Sequence, residues 1–157
     1  MLAAPSNGWV ISGGQALLNP TVKELKAAAE NAIQEASSAR SPLLFSFVGH
    51  GLSTAASEVA ASGYPEFYLQ LRDSHIDPMP DEDFNVGSFL HSRLRKFGGD
   101  VDGVILVIDA CQAGALPAEA IANWRTVTSG RLEVLVASEH DRNAYAGCFT
   151  TTLIENL

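Results

Sequence analysis

The sequence predicts an α/β fold with a mainly parallel central sheet, and three observations carry that prediction. Val104 to Ile108 is an unbroken apolar run of strand length and β-branched content, which suits a strand covered on both faces. Leu43 to Val48 and Leu132 to Ala137 are apolar runs of similar length. Between them lie segments whose apolar residues recur at helical spacing, and strands alternating with helices argue for a parallel sheet.

Trp9 to Ile11 reads as a short edge strand, broken by Gly13 and Gly14. A helix follows Asn19-Pro20, where Thr21 and Glu24 have the spacing of a capping box. Val22, Leu25, Ala29, Ala32, Ile33 and Ala36 share one face of it, and Lys23, Lys26, Glu30 and Gln34 fall outside that face. Ser37 to Pro42 ends the helix. The strand Leu43 to Val48 stops at Gly49-His50-Gly51, where two glycines allow a sharp turn and close backbone approach. Leu52 to Gly63 is small and polar and reads as a loop. Phe67 to Leu71 alternates, which predicts a strand with one more exposed face. Asp73 to Asp83 is a loop with two prolines and an acidic cluster. Val86, Phe89, Leu90, Leu94 and Phe97 recur at helical spacing until Gly98-Gly99. After the strand at 104–108, a short helix is expected from Pro117 to Trp124, a polar loop over 126–130, the strand at 132–137 and a final helix over 147–157. That last helix has Phe149, Leu153, Ile154 and Leu157 on one side.

The chain has 157 residues, 46% hydrophobic and 18% charged, enough for one globular domain spanning 1–157. Its net charge of −8 disfavours nucleic acid or an anionic membrane as the main partner and suits basic peptides. No apolar run approaches the roughly 20 residues that span a bilayer, and Met1 to Asn7 carries no signal-peptide pattern. Two cysteines make no disulfide framework, so a reducing, cytosolic setting is expected.

The chemistry concentrates where the strand at 104–108 turns polar, at Asp109-Ala110-Cys111-Gln112-Ala113-Gly114. Side chains just past the carboxyl end of a central strand emerge into the crevice above the sheet, a good place for a nucleophile. Taken alone, Cys111 divides evenly between a nucleophile and a compact buried hydrophobe. If the strands ending at Val48 and Asp109 are neighbours, His50 and Cys111 rise from one edge. An imidazole there can depress the thiol pKa or take its proton, and then protonate a leaving amine. The amides of Gly51 and Cys111 lie beside that site as oxyanion donors. His140, just past the strand at 132–137, is the main rival base, and His75 is a weaker one. His91 lies in a helical pattern and reads as a surface residue. Cys148 reads as a small buried residue.

Phe47-Val48-Gly49-His50-Gly51, followed by Ile108-Asp109-Ala110-Cys111-Gln112-Ala113-Gly114, resembles the His-Gly and Asp-x-Cys-x-x-Gly motifs of caspase-like cysteine peptidases. The likeness is nearer to metacaspases and bacterial caspase-like proteins than to animal caspases, whose pattern is Gln-Ala-Cys-x-Gly. Val134 to Ser138, Ala144-Tyr145 and Gly147-Cys148-Phe149-Thr150 resemble the strand and helix that follow the nucleophile in that family. The resemblance covers roughly residues 20–157.

It implies a three-layer α/β/α sandwich, incomplete at both ends, in which His50 is the general base and Cys111 the nucleophile. Gly51 and Cys111 would bind the oxyanion. Asp109 stands where relatives with a basic preference place the acidic wall of the first specificity pocket, and a partly buried carboxylate would select Arg or Lys. The plainer reading of Asp109 is a hydrogen-bonding aspartate at a strand end. Arg125 stands in the linker that such proteins cut in themselves; the plainer reading is a surface arginine. Some metacaspases bind calcium through acids like Asp81, Glu82 and Asp83. That run equally reads as helix N-terminal acids, so no cofactor is expected and calcium is only a weak candidate.

The resemblance implies a cysteine endopeptidase (hydrolase) acting on protein or peptide substrates with a basic residue before the cut. The missing flanks leave room for further domains or a partner chain that completes the fold, and an open sheet edge invites such pairing. They also leave room for a catalytically silent caspase-like module that binds or scaffolds partners. A nucleotide-binding domain is disfavoured, because no Gly-rich phosphate loop follows the first strand.

Overall fold

A computed structural model describes residues 8–54, 65–79, 82–116, 124, 131–139, 142 and 148–155. Three strands, β1 (Leu43–Val48), β5 (Gly103–Asp109) and β6 (Arg131–Val136), form a parallel sheet in the order β1-β5-β6. Three shorter strands, β2 (His50–Ser53), β3 (Phe67–Gln70) and β4 (Phe84–Asn85), form an antiparallel sheet in the order β2-β3-β4. Helices α1 (Val22–Ala39), α2 (Val86–Phe97) and α3 (Cys148–Glu155) complete the α/β fold. No helix among the described residues is long and apolar enough to cross a membrane.

The capping box of α1 forms as its spacing predicts. Glu24 N–H donates to Thr21 Oγ1 at 3.2 Å, and Thr21 N–H donates to the Glu24 carboxylate at 2.7 Å. Val22, Ala29, Ile33 and Ala36 are the buried face of α1, and Arg40 closes the helix in a left-handed conformation. Asn85 caps α2 by accepting from Ser88 N–H at 2.8 Å. The two helices pack together, and Arg93 of α2 meets Glu30 of α1 at 3.1 Å.

β5 is the middle strand, and Val104, Leu106 and Ile108 are fully buried. They share the core with Ile33, Phe84, Leu90, Leu116 and Trp124. Each such side chain contributes about 1.5–3 kcal/mol by leaving water. Trp124 also donates its indole N–H to the Gly87 carbonyl at 3.2 Å, so its one polar atom is satisfied in the core.

Several expectations are corrected. Trp9 to Ile11 belongs to neither sheet, and Val10 is exposed; a short 3₁₀ turn, Ser12–Gly14, follows. A β-type run becomes a strand only where a ladder partner exists. The start of the expected loop, with His50 and Gly51, is instead β2. β3 buries Phe67, Tyr68 and Leu69, so neither of its faces is open as the alternation suggested. It sits in the middle of the antiparallel sheet. Cys148 is exposed rather than buried, because α3 has no buried residue. His91 is half-buried, and burial, aided by the Arg95 charge, lowers its pKa below the usual 6.5. Of the helix expected over 117–124, only Trp124 lies among the described residues. The ends of the final helix, at 147 and 156–157, lie outside them.

Candidate functional site

The adjacency on which the site depends is present. β1 and β5 pair in parallel with Val48 opposite Asp109. Gly49 N–H donates to the Asp109 carbonyl at 3.0 Å, which carries the ladder one step further. The next rung, from Cys111 N–H to the Gly49 carbonyl, is not made. His50 and Cys111 therefore leave neighbouring strands at matched positions, each two residues past the Val48–Asp109 pair.

Gly51 shows how closely the two chains approach. A Cβ built there would lie 2.7 Å from the Cys111 carbonyl oxygen and 2.6 Å from the Phe67 ring. Only glycine fits between them.

The β2–β3 ladder also fixes the direction of the Gly51 amide. Thr54 N–H donates to the Glu66 carbonyl at 2.9 Å, one step beyond the Ser53–Phe67 pair. Hydrogen-bonded and non-hydrogen-bonded pairs alternate along an antiparallel ladder. The amides of Ser53 and Gly51 therefore turn away from β3. Ser53 N–H does so and donates to Gln112 Oε1 at 2.7 Å, in the turn that holds Cys111. Gly51 N–H has the same parity and faces the same turn.

Cys111 is a half-buried free thiol, and His50 is exposed at the start of β2. No hydrogen bond joins the imidazole to the thiol in this resting geometry.

The turn after Cys111 is over-determined. Gln112 adopts a left-handed φ of 57°, uncommon for a residue with a side chain. Its N–H donates to the Arg142 carbonyl at 2.8 Å, and its Oε1 also accepts from Ser53 Oγ at 3.0 Å. Ala113 N–H donates to Ser138 Oγ at 3.2 Å, and that hydroxyl donates to the Ala110 carbonyl at 2.9 Å. Backbone conformations of this kind cost of order 1–3 kcal/mol and persist where the surroundings enforce them.

Asp109 ends β5 and is buried. Its Oδ2 accepts from Thr150 N–H at 3.0 Å and from Thr150 Oγ at 2.7 Å. The carboxylate thus faces the first turn of α3, where a negative charge is favoured. Its Oδ1 is buried with no hydrogen-bond partner among the described residues. The helix contact accounts for one oxygen and leaves the other without a donor among the described residues, in a carboxylate closed off from solvent.

The other histidines and the acidic loop have different surroundings. His75 Nδ1 lies 3.2 Å from Asp83, and Nε2 lies 3.5 Å from Glu82. Asp83 also accepts from His75 N–H at 3.1 Å and Met79 N–H at 2.8 Å. Burial raises its pKa, but the Met79 and His75 amides with the Ser74 and His75 side chains outweigh that and hold it below the usual 3.8. Both Asp83 oxygens serve the loop, and a calcium ion would have to displace these donors. Among the described residues no group of three or more His, Cys, Asp or Glu is arranged to hold a metal. His140, Asp81 and Arg125 lie outside the described residues.

Sequence reasoning missed the supporting residues Ser53, Gln112, Ser138 and Thr150. Gln112 sits inside the motif around Cys111, and Thr150 directly follows Phe149 in the last matched segment, but neither position announces its partner.

Comparison of the chain with protein-family models, with curated proteins and with solved structures finds no match.

Proposed function

We propose that the chain is a cysteine endopeptidase built on a caspase-like α/β/α sandwich, cleaving after Arg or Lys. The reading rests chiefly on the parallel pairing of β1 with β5, from which His50 and Cys111 emerge at matched positions, with Gly51 packed against Cys111. The peptide carbonyl carbon sits over Cys111. His50 takes the thiol proton as sulfur attacks, and the negative charge on the carbonyl oxygen falls to the amides of Gly51 and Cys111. The tetrahedral intermediate collapses, and His50 gives its proton to the leaving amine. A water that loses its proton to His50 then attacks the thioester, which releases the acid and restores the thiol. The unpartnered oxygen of Asp109 receives the guanidinium or ammonium of the residue before the cut. No cofactor takes part. A free nucleophilic thiol suits a reducing compartment such as the cytosol.

A catalytically silent module is the second reading. It is favoured by an exposed His50 that makes no bond to the Cys111 thiol, and by a parallel sheet whose edges, β1 and β6, are open among the described residues.

Fluorogenic peptides ending in Arg or Lys test the choice. The proposal expects turnover by the chain and its loss in Cys111→Ala and His50→Ala. Turnover that survives Cys111→Ala refutes the dyad. No turnover of any basic peptide favours the silent module.

A further inference from the structure

We infer that Gln112 is a positioning residue that sets the spacing between the two oxyanion donors; this rests on the peptidase reading. One donor, Gly51 N–H, belongs to β2, and the other, Cys111 N–H, belongs to the turn after β5. These segments are joined beyond the β1–β5 ladder by the Gln112 side chain. Its Oε1 accepts both Ser53 N–H at 2.7 Å and Ser53 Oγ at 3.0 Å. Ser53 N–H lies two residues from Gly51 N–H in the same outward row of β2, so a tie at Ser53 fixes where the Gly51 amide points. At its other end Gln112 is bonded directly to Cys111. It is held at φ 57° while its own N–H is taken by the Arg142 carbonyl at 2.8 Å. That amide is therefore not an oxyanion donor. The residue contributes its conformation and its side-chain oxygen, and touches no reacting atom.

Oxyanion geometry matters only where negative charge develops on oxygen. Alkylation of a thiol by iodoacetamide develops none at a protein-bound carbonyl, so it reports the thiol and its base without the hole. The two reactions separate a positioning role from general damage to the site.

In Gln112→Ala, kcat for an Arg-terminated peptide is expected to fall roughly 30- to 300-fold, the range for losing most of one oxyanion donor. KM is expected to change by less than about threefold, because the lost interaction belongs to the transition state. Binding of an Arg-terminated peptide aldehyde, whose adduct carries an oxyanion, weakens in parallel. The alkylation rate of Cys111, followed by peptide mass, stays within about threefold of the unsubstituted chain. Gln112→Glu keeps an acceptor oxygen at the same reach and recovers most of the kcat. Amide exchange at Ser53 speeds up in Gln112→Ala and not in Gln112→Glu, whether or not the chain turns over substrate.

Unchanged kcat in Gln112→Ala overturns the inference. So does a fall in alkylation that matches the fall in kcat, or a Gln112→Glu variant no better than Gln112→Ala. If the unsubstituted chain turns over no peptide, the peptidase reading fails and the oxyanion role with it. Faster exchange at Ser53 would then still show the clamp.

Discussion

Replacing Gly51 with alanine tests the backbone contact at the centre of the site. The new methyl carbon would stand 2.7 Å from the Cys111 carbonyl oxygen and 2.6 Å from the Phe67 ring. Carbon–oxygen contacts in proteins close to about 3.3 Å, so the carbonyl or β2 must move by about 0.6 Å. Phe67 is fully buried and cannot swing aside, which leaves the two backbones to separate. Overpacking of this kind costs about 1–3 kcal/mol. For a chain of this size each kcal/mol lowers Tm by about 2–4 °C. In the proposed peptidase the same movement displaces one oxyanion amide from the other. A 1 Å misplacement can cost about a hundredfold in rate, so kcat is expected to fall between roughly ten- and a hundredfold. Gly49→Ala is the matched control. The three atoms nearest its methyl, from 2.7 Å, all belong to the half-buried Phe47 ring rather than to backbone, so a side-chain shift can relieve the contact. Urea denaturation and peptide turnover of both variants are the assay. A Gly51→Ala chain with unaltered stability and unaltered kcat would refute the close approach of Gly51 to Cys111.

Three further outcomes follow from the same contacts. Thr150→Val removes the hydroxyl bond to the buried Asp109 carboxylate and keeps the backbone one; a loss of about 1.5–3 kcal/mol is expected in urea denaturation, and an unchanged midpoint would show that the bond is not made. Thr21→Ala removes the side-chain half of the α1 capping box and should cost about 1 kcal/mol, read as a lower Tm. The Asp83 pKa is depressed in the folded chain, so its contribution is present above the unfolded value near 3.8 and is lost as pH falls through the lower folded value; urea midpoints measured from pH 5 downward should show that loss in the unsubstituted chain and less of it in Asp83→Asn.

The parallel sheet was legible because β1 and β5 are bare apolar runs of strand length and parallel pairing needs little else. The helices were legible through Thr21, Glu24 and the spacing of Val22, Ala29 and Ile33. β2 was not, because Gly49-His50-Gly51 has the composition of a turn. It is a strand only because Phe67 to Gln70, more than ten residues further on, supplies the ladder. Trp9 to Ile11 failed in the opposite sense, having strand composition and no partner. His50 and Cys111 could be paired from sequence because each follows its strand at the same offset. The contacts that support them are long-range: Ser53 reaches Gln112 across 59 residues and Asp109 reaches Thr150 across 41. Side-chain hydrogen bonds of that separation leave no periodic trace. The left-handed φ of Gln112 leaves none either, since glutamine gives no sign of the conformation that its partners impose.

In the proposed function Cys111 is a nucleophile served by His50 and directed to basic peptides. The most direct measurement is covalent labelling of the intact chain with an Arg-terminated peptidyl chloromethyl ketone, the modified residue being located by peptide mass. One adduct is expected, on Cys111, formed faster than with a matched Asp-terminated reagent and strongly slowed by His50→Ala. Exposed Cys148 is the internal control for general thiol reactivity. Labelling of Cys148 in preference to Cys111, or labelling of Cys111 at a rate indifferent to His50, would contradict it.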